Sequence, residues 1–213
     1  MPVDIVPRPG ALIDGGAGFL IQSGIAVPAG TYTGAIDAYG NFCVMTEGTK
    51  PTYSAGTTGT FTLPATPTQV VTIIGSATKT IRVLNITISG SAAVASQAIA
   101  VGLQKLSTAP TGGTPVTPAV VPHDSASPTG SAVVTHYTGL PTLGTALGYI
   151  RSSNVMFGLI TATTIDRVVW DFTTRNGQGL VLRGTSQGLA VNLNGIALAN
   201  ATLMSYSIEW TEE

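Results

Sequence analysis

Leu203-Met204-Ser205-Tyr206-Ser207-Ile208-Glu209-Trp210 alternates apolar with polar residues without a break. Met204, Tyr206, Ile208 and Trp210 fall on one face, and Ser205, Ser207 and Glu209 on the other. A period of two is that of a strand with one buried face, because successive side chains leave a pleated backbone on opposite sides. The pattern recurs upstream. Asp166 to Phe172 sets Val168, Trp170 and Phe172 against Val169 and Asp171. Gly188 to Leu193 alternates Leu189, Val191 and Leu193 with Ala190 and Asn192. Ile81 to Ile88 puts Leu84, Ile86 and Ile88 on one face and Val83, Asn85 and Thr87 on the other. Ala98 to Leu106 points Ile99, Val101 and Leu103 inward.

Gln69 to Ile74, Ala132 to Thr138, Asn154 to Thr161 and Gly179 to Arg183 complete the strands, and no helix longer than a turn or two fits between them. Many short antiparallel strands with one buried face predict an all-β chain. The architecture expected is an antiparallel β-sandwich of the eight-stranded jelly-roll type; a sandwich with another strand order has the same sequence pattern.

The strands occupy residues 61–213. Residues 1–60 differ. Pro2, Pro7, Pro9 and Pro28, with Gly10, Gly15, Gly16, Gly18, Gly24 and Gly30, rule out any long regular element there. Short apolar patches interrupt this stretch, notably Phe19-Leu20-Ile21 and Ile25-Ala26-Val27. They predict either an extended N-terminal arm, with Phe19, Leu20, Ile21, Ile25 and Val27 contacting a shell or a neighbouring subunit, or a small β-rich lobe on the same chain. Tyr53 to Thr62 reads as a linker. Ser107 to Ser131 carries Pro110, Pro115, Pro118, Pro122 and Pro128. A structureless connection of that length is unusual inside a compact domain. Its middle makes it a candidate subunit-interface loop, with Val120, Val121, His123 and Asp124 as the contact residues.

Composition narrows the function. Only 9% of the 213 residues are charged, with nine Lys and Arg against ten Asp and Glu, for a net charge of −1. A typical soluble domain is about 25% charged. Scattered basic residues leave no electrostatic footprint for DNA or RNA, so no nucleic-acid partner is expected. The one cysteine, Cys43, excludes an internal disulfide and a cysteine-based zinc cluster. The first residues lack the basic and apolar runs of a signal peptide. The uncharged stretch from Val83 to Gln104 is long enough for a membrane helix but too rich in Ser, Asn and Gln, so two strands around a turn are expected and no membrane partner. A near-neutral exterior of Thr, Ser, Gly and Ala gives little repulsion between copies and suits a chain packed in an assembly.

No residue set announces catalysis. His123-Asp124-Ser125 holds the residue types of a hydrolase triad, but adjacent residues cannot orient one another in that way. The simpler reading is that Asp124 caps the turn after Pro122. His136 fits a strand-face histidine paired with a neighbour. Gly75 to Thr80 resembles a phosphate loop yet precedes a strand, so a hairpin turn is expected. Asp166 and Asp171 suggest structural pairs with Arg167, Arg175 or Arg183. No catalytic residue, metal site or cofactor is therefore expected.

Several segments resemble a group of small virion structural proteins of tailed bacteriophages. They are Gly75-Ser-Ala-Thr-Lys-Thr-Ile-Arg-Val83, Ser107-Thr-Ala, Val121-Pro-His-Asp-Ser125, Tyr137-Thr-Gly-Leu-Pro-Thr-Leu-Gly144, Val181-Leu-Arg-Gly-Thr-Ser-Gln-Gly-Leu-Ala-Val-Asn-Leu-Asn-Gly195 and Glu209-Trp-Thr-Glu-Glu213. The resemblance spans about residues 65–213 and leaves the first sixty uncovered. It implies a virion component. Together with the charge-poor surface, it leads us to expect a non-enzymatic capsid decoration (cement) protein. Its partners would be itself, as a homotrimer, and the major capsid protein. It would sit on the outer surface of the capsid, and in the host cytoplasm during assembly. The alternative is a receptor- or glycan-binding module of a head fibre, tail fibre or baseplate, with Tyr137, Tyr149 or Trp170 as sugar-stacking aromatics.

Overall fold

The computed structural model describes residues 50–161, 166–173, 179–198 and 202–213, together with the backbone of two short strands, β1 (Ala35–Ile36) and β2 (Phe42–Cys43), which pair antiparallel. Residues 1–49 and 50–213 are separate compact units. The second unit holds β3 (Thr52–Gly56), β4 (Phe61–Thr62), β5 (Gln69–Ile74), β6 (Ile81–Ala92), β7 (Gln97–Leu106), β8 (Thr114–Val116), β9 (Val121–Pro122), β10 (Val133–Gly139), β11 (Ala146–Leu159), β12 (Arg167–Asp171), β13 (Leu180–Leu182), β14 (Gly188–Asn192) and β15 (Leu203–Glu212).

The unit is all-β, with no helix among the described residues. Its strands form one curled, half-barrel sheet with the path β8-β10-β5-β14-β7-β11-β6-β15-β3-β9. β12 and β13 also pair with β6, and β4 with β15. Every pairing is antiparallel except a short parallel one, where Gly158 and Leu159 of β11 meet Ser91 and Ala92 of β6. The sheet is therefore mixed rather than purely antiparallel.

The inward faces close on one apolar core. Trp210, Ile208, Tyr206 and Met204 of β15 enter it, as the alternation of that strand predicts, with Ile86 and Ile88 of β6, Ile99, Val101 and Leu103 of β7, and Phe157 of β11. At about 25 cal/mol per Å² of apolar surface removed from water, such side chains supply the main drive for closure.

Four expectations are corrected. The stretch from Tyr53 to Thr62 is not a linker. It forms β3 and β4, both paired with β15, so the unit begins at Lys50 rather than Phe61. In β6, Val83 is buried and Leu84 only half-buried. Opposite them, Glu209 pairs with Asn85 and Trp210 with Val83, which leaves Leu84 as the extra residue of a β-bulge. A bulge shifts the phase by one, so Ile81 and Val83 face the core together with Ile86 and Ile88. The two strands expected around a turn between Val83 and Gln104 are β6 and β7, but the chain turns after Ala92 and not at the Ser89-Gly90-Ser91 break, because β6 runs through it. Gly90 is needed there: a Cβ would stand 2.3 Å from the ring of Phe157. Finally, Gly75 to Thr80 is no hairpin, since β5 and β6 do not pair with each other; it carries the chain from one part of the sheet to another. Ser76 Oγ accepts the N–H groups of Thr78 and Lys79 and orders that crossing.

The Phe157 contact gives a direct test. Gly90→Ala is expected to destabilise the fold by about 1–3 kcal/mol, the range for overpacking a filled core. Urea denaturation followed by tryptophan fluorescence reads the shift in midpoint.

Candidate functional site

The connection Ser107–Ser131 is not structureless. β8 adds to the outer edge of β10, and β9 adds to the outer edge of β3. One stretch of chain therefore supplies both ends of the strand path and straps its open side. Contacts within this chain hold it in place. Tyr53 Oη donates to Pro128 O (2.8 Å), and His123 N–H donates to Thr52 O (2.8 Å). Val120 is half-buried on the core beside Gly130, where a Cβ would stand 2.6 Å from its Cγ1. Val121 is 54% exposed, and His123 and Asp124 are exposed beside it. Asp124 Oδ1 accepts Ala126 N–H (2.9 Å), so its carboxylate caps the local turn. Phe19, Leu20, Ile21, Ile25 and Val27 lie outside the described residues, as does the side chain of Cys43.

The strap ends in a buried carboxylate. Glu212, the next in-phase position after Trp210, is 4% exposed. It accepts the N–H of Ser131 (2.8 Å), the hydroxyl of Ser131 (2.7 Å), the N–H of Ala132 (3.0 Å) and the indole N–H of Trp210 (3.0 Å). No ion pair reaches it among the described residues. Burial alone pushes its pKa up, and this is the largest single effect. The donors from Trp210, Ser131 and Ala132 together outweigh it and hold the carboxyl below its ordinary value. The Glu212 charge in turn adds to burial in raising the pKa of Tyr53. Next to it, Glu213 pairs with Arg82 (2.6 Å) and Lys50, whose hydrogen bonds bring its carboxyl down to about 2.

Beside the strap a cleft of about 550 Å³ opens between residues 54–61 and residues 116–121, with His136 and Tyr206 on its lining. His136 Nδ1 and Tyr206 Oη share a hydrogen bond (3.0 Å), and the ring of Phe61 lies 4.3 Å from the imidazole. Burial lowers the pKa of His136 and raises that of Tyr206. The imidazole is thus held neutral, and the phenol stays protonated. The expected pairing of His136 with a neighbour is met by a residue seventy positions away. The cleft is lined by this neutral ring pair and, among the described residues, by no Asp, Glu, Lys or Arg side chain.

Asp166 Oδ2 accepts Met156 N–H and Asp171 Oδ1 accepts Thr173 N–H; neither makes an ion pair with Arg167 or Arg183, and Arg175 lies outside the described residues. Tyr137 and Trp170 are buried and Tyr149 is exposed. Among the described residues no three His, Cys, Asp or Glu side chains gather as a metal site. No protein family, curated protein or solved structure matches the chain.

Two pH windows follow from these groups. A lowered histidine pKa contributes stability that is present above its unfolded value, about 6.5, and is lost as the pH falls below it. A lowered carboxyl pKa contributes stability present above about 4.5 and lost as the pH falls further. Melting temperature is therefore expected to drop in two steps on acidification. Glu212→Gln should shrink the lower step, which Glu213 shares, and cost about 1–3 kcal/mol at pH 7, because an amide NH₂ then faces donors that the carboxylate accepts. Calorimetry between pH 3.5 and 8 checks both, and an unchanged lower step in the variant would assign it to another group.

Proposed function

We propose that this chain is a non-enzymatic structural protein of a bacteriophage virion. In this reading it is a capsid decoration (cement) protein with a jelly-roll sandwich, acting as a homotrimer on the outer surface of the shell. The observation that carries the reading is where the apolar surface lies. Val116 on the edge strand β8 and Val133 on its neighbour β10, with Leu140, Leu143 and Leu147 in the stretch leading into and starting β11, are large hydrophobic side chains left in solvent. A charge-poor exterior with several large apolar side chains in solvent suits a protein that spends its life against other subunits. The resemblance to phage virion proteins over residues 65–213 agrees with it.

Support for the jelly-roll reading comes from the pairing. Taking β3, β5, β6, β7, β11, β12, β14 and β15 in order, the first pairs with the last and the second with the second-last. The third pairs with the third-last, and the middle two pair with each other. That is the pattern of one long antiparallel hairpin rolled up, and the rolling brings β6 beside β15 and β7 beside β14. In this reading β13 is an accessory strand, and β8 to β10 form an insertion between the two middle strands.

Mechanistically, these exposed apolar residues and the strap would make the subunit contacts, closing a cyclic assembly. Residues 1–49 would lie on the shell or on a neighbouring subunit. Several weak contacts summed over a trimer give firm attachment through avidity.

The alternative, a receptor- or glycan-binding module of a fibre or baseplate, has one specific observation in its favour: Tyr149 presents an aromatic surface to solvent.

Immunogold microscopy of intact virions tests the assignment. Label spread over the head supports decoration, label at the tail tip or on fibres supports the alternative, and virions free of label and peptide refute both. A truncation tests the arm, and the cut belongs after Thr49, because a cut after residue 60 removes β3. Residues 50–213 are expected to remain trimeric by sedimentation and to lose shell occupancy. Full decoration by the truncated chain would show that the arm is not the anchor.

A further inference from the structure

Tyr149 is 54% exposed, yet its ring is held. It rests on Gly102 of β7, where a Cβ would stand 2.3 Å from the ring. Its hydroxyl donates to Asn194 Oδ1. Asn194 is itself fixed: it sits in the left-handed region (φ 59°), its N–H donates to Asn192 Oδ1 (2.6 Å), and its Nδ2 donates to Ala100 O (3.1 Å). An exposed aromatic side chain locked in this way has already lost the rotamer freedom that binding would otherwise cost.

The same strand, β11, carries unused polar groups. The register places Ser152 opposite Gly102 and Asn154 opposite Ala100, so both project from the same sheet face as the ring. Neither side chain makes a hydrogen bond among the described residues. Ring, serine and asparagines line one depression of about 440 Å³, inside the range of small-ligand sites. No charged side chain lines it.

From this geometry we propose that the outer face of β7 and β11 is a binding subsite for one uncharged pyranose, with Tyr149 as its stacking platform. A pyranose joins an apolar C–H face, which packs on an aromatic ring, to a rim of hydroxyls that pair with Ser152 and Asn154. A charged sugar would bring a carboxylate to a site without a cation, at a desolvation cost nothing there offsets. The assignment does not rest on the capsid reading, since a shell protein and a fibre protein can each carry such a subsite.

The test is an NMR titration of the isotope-labelled full chain with the methyl glycosides of glucose, mannose, galactose and N-acetylglucosamine. One of the four is expected to saturate at about millimolar concentration, a typical strength for one small contact. Shifts should be confined to the amides of residues 100–102, 149–154 and 194. Tyr149→Ala should weaken binding about tenfold or more, and Asn154→Ala a few-fold, while Tyr149→Phe keeps most of it. Both positions are exposed, so the fold is expected to survive, and the unshifted remainder of the spectrum verifies this. Failure of all four sugars to saturate, shifts centred elsewhere, or undiminished binding by Tyr149→Ala overturns the proposal. Tighter binding of glucuronic acid overturns the uncharged assignment.

Discussion

The carboxylate of Glu212 is the point on which the rest of the unit depends. Taking an ion of this size out of water costs several kcal/mol, and among the described residues no cation pairs with it to offset that. What offsets it is a set of donors drawn from two distant places: the start of β10 and the indole two residues earlier on the same strand. The ion is tolerable only when β15, the end of the strap and β10 are all in place. Tyr53, stacked on Trp210 and bonded to Pro128, closes the same junction from β3. A neutral side chain would be cheaper to bury, but it would accept fewer of these donors and define their positions less well.

The strands of residues 65–213 were legible because each buries one face, and burial of one face writes a period of two into the chain. β15 illustrates this: the alternation continues past Trp210, so the inward position of Glu212 was there to be extended. The reading failed where local geometry broke the period. At Leu84 one inserted residue reverses the phase, and apolar residues on both sides of the insertion hide the reversal. At Gly90 the sequence shows a break, while the structure shows a strand whose missing side chain is replaced by a ring from β11. β3 escaped because Thr, Ser and Gly dominate it, and its buried residues, Tyr53 and Ala55, are held chiefly by the register with β15.

The functional surfaces were less legible, for a related reason. β8 and β9 are too short and too rich in proline to show any period, so the strap read as a loop, although its exposed residues Val121, His123 and Asp124 were singled out. The His136–Tyr206 pair depends on two strands crossing the core, and sequence separation carries no sign of it. Tyr149 was picked out as an aromatic, but its significance comes from Gly102 on the adjacent strand and Asn194 beyond the next. Each is a juxtaposition created by strand order, which the pattern of single strands does not encode.

The pairing of β3 with β15 has a consequence for how the chain comes to be folded. The first strand of the unit to leave the ribosome is completed by the last, so it waits through the synthesis of the whole unit with its hydrogen-bonding edge unfilled. Closure of that pair carries the loop entropy of nearly every residue between them, whereas β7 and β11 face a shorter search. The ion pair of Lys50 with Glu213 closes the same long loop. A barrier of this kind slows folding and, once crossed, slows the way back. For a protein of this build, a slow rate of coming apart can add to durability beyond the depth of its free-energy minimum.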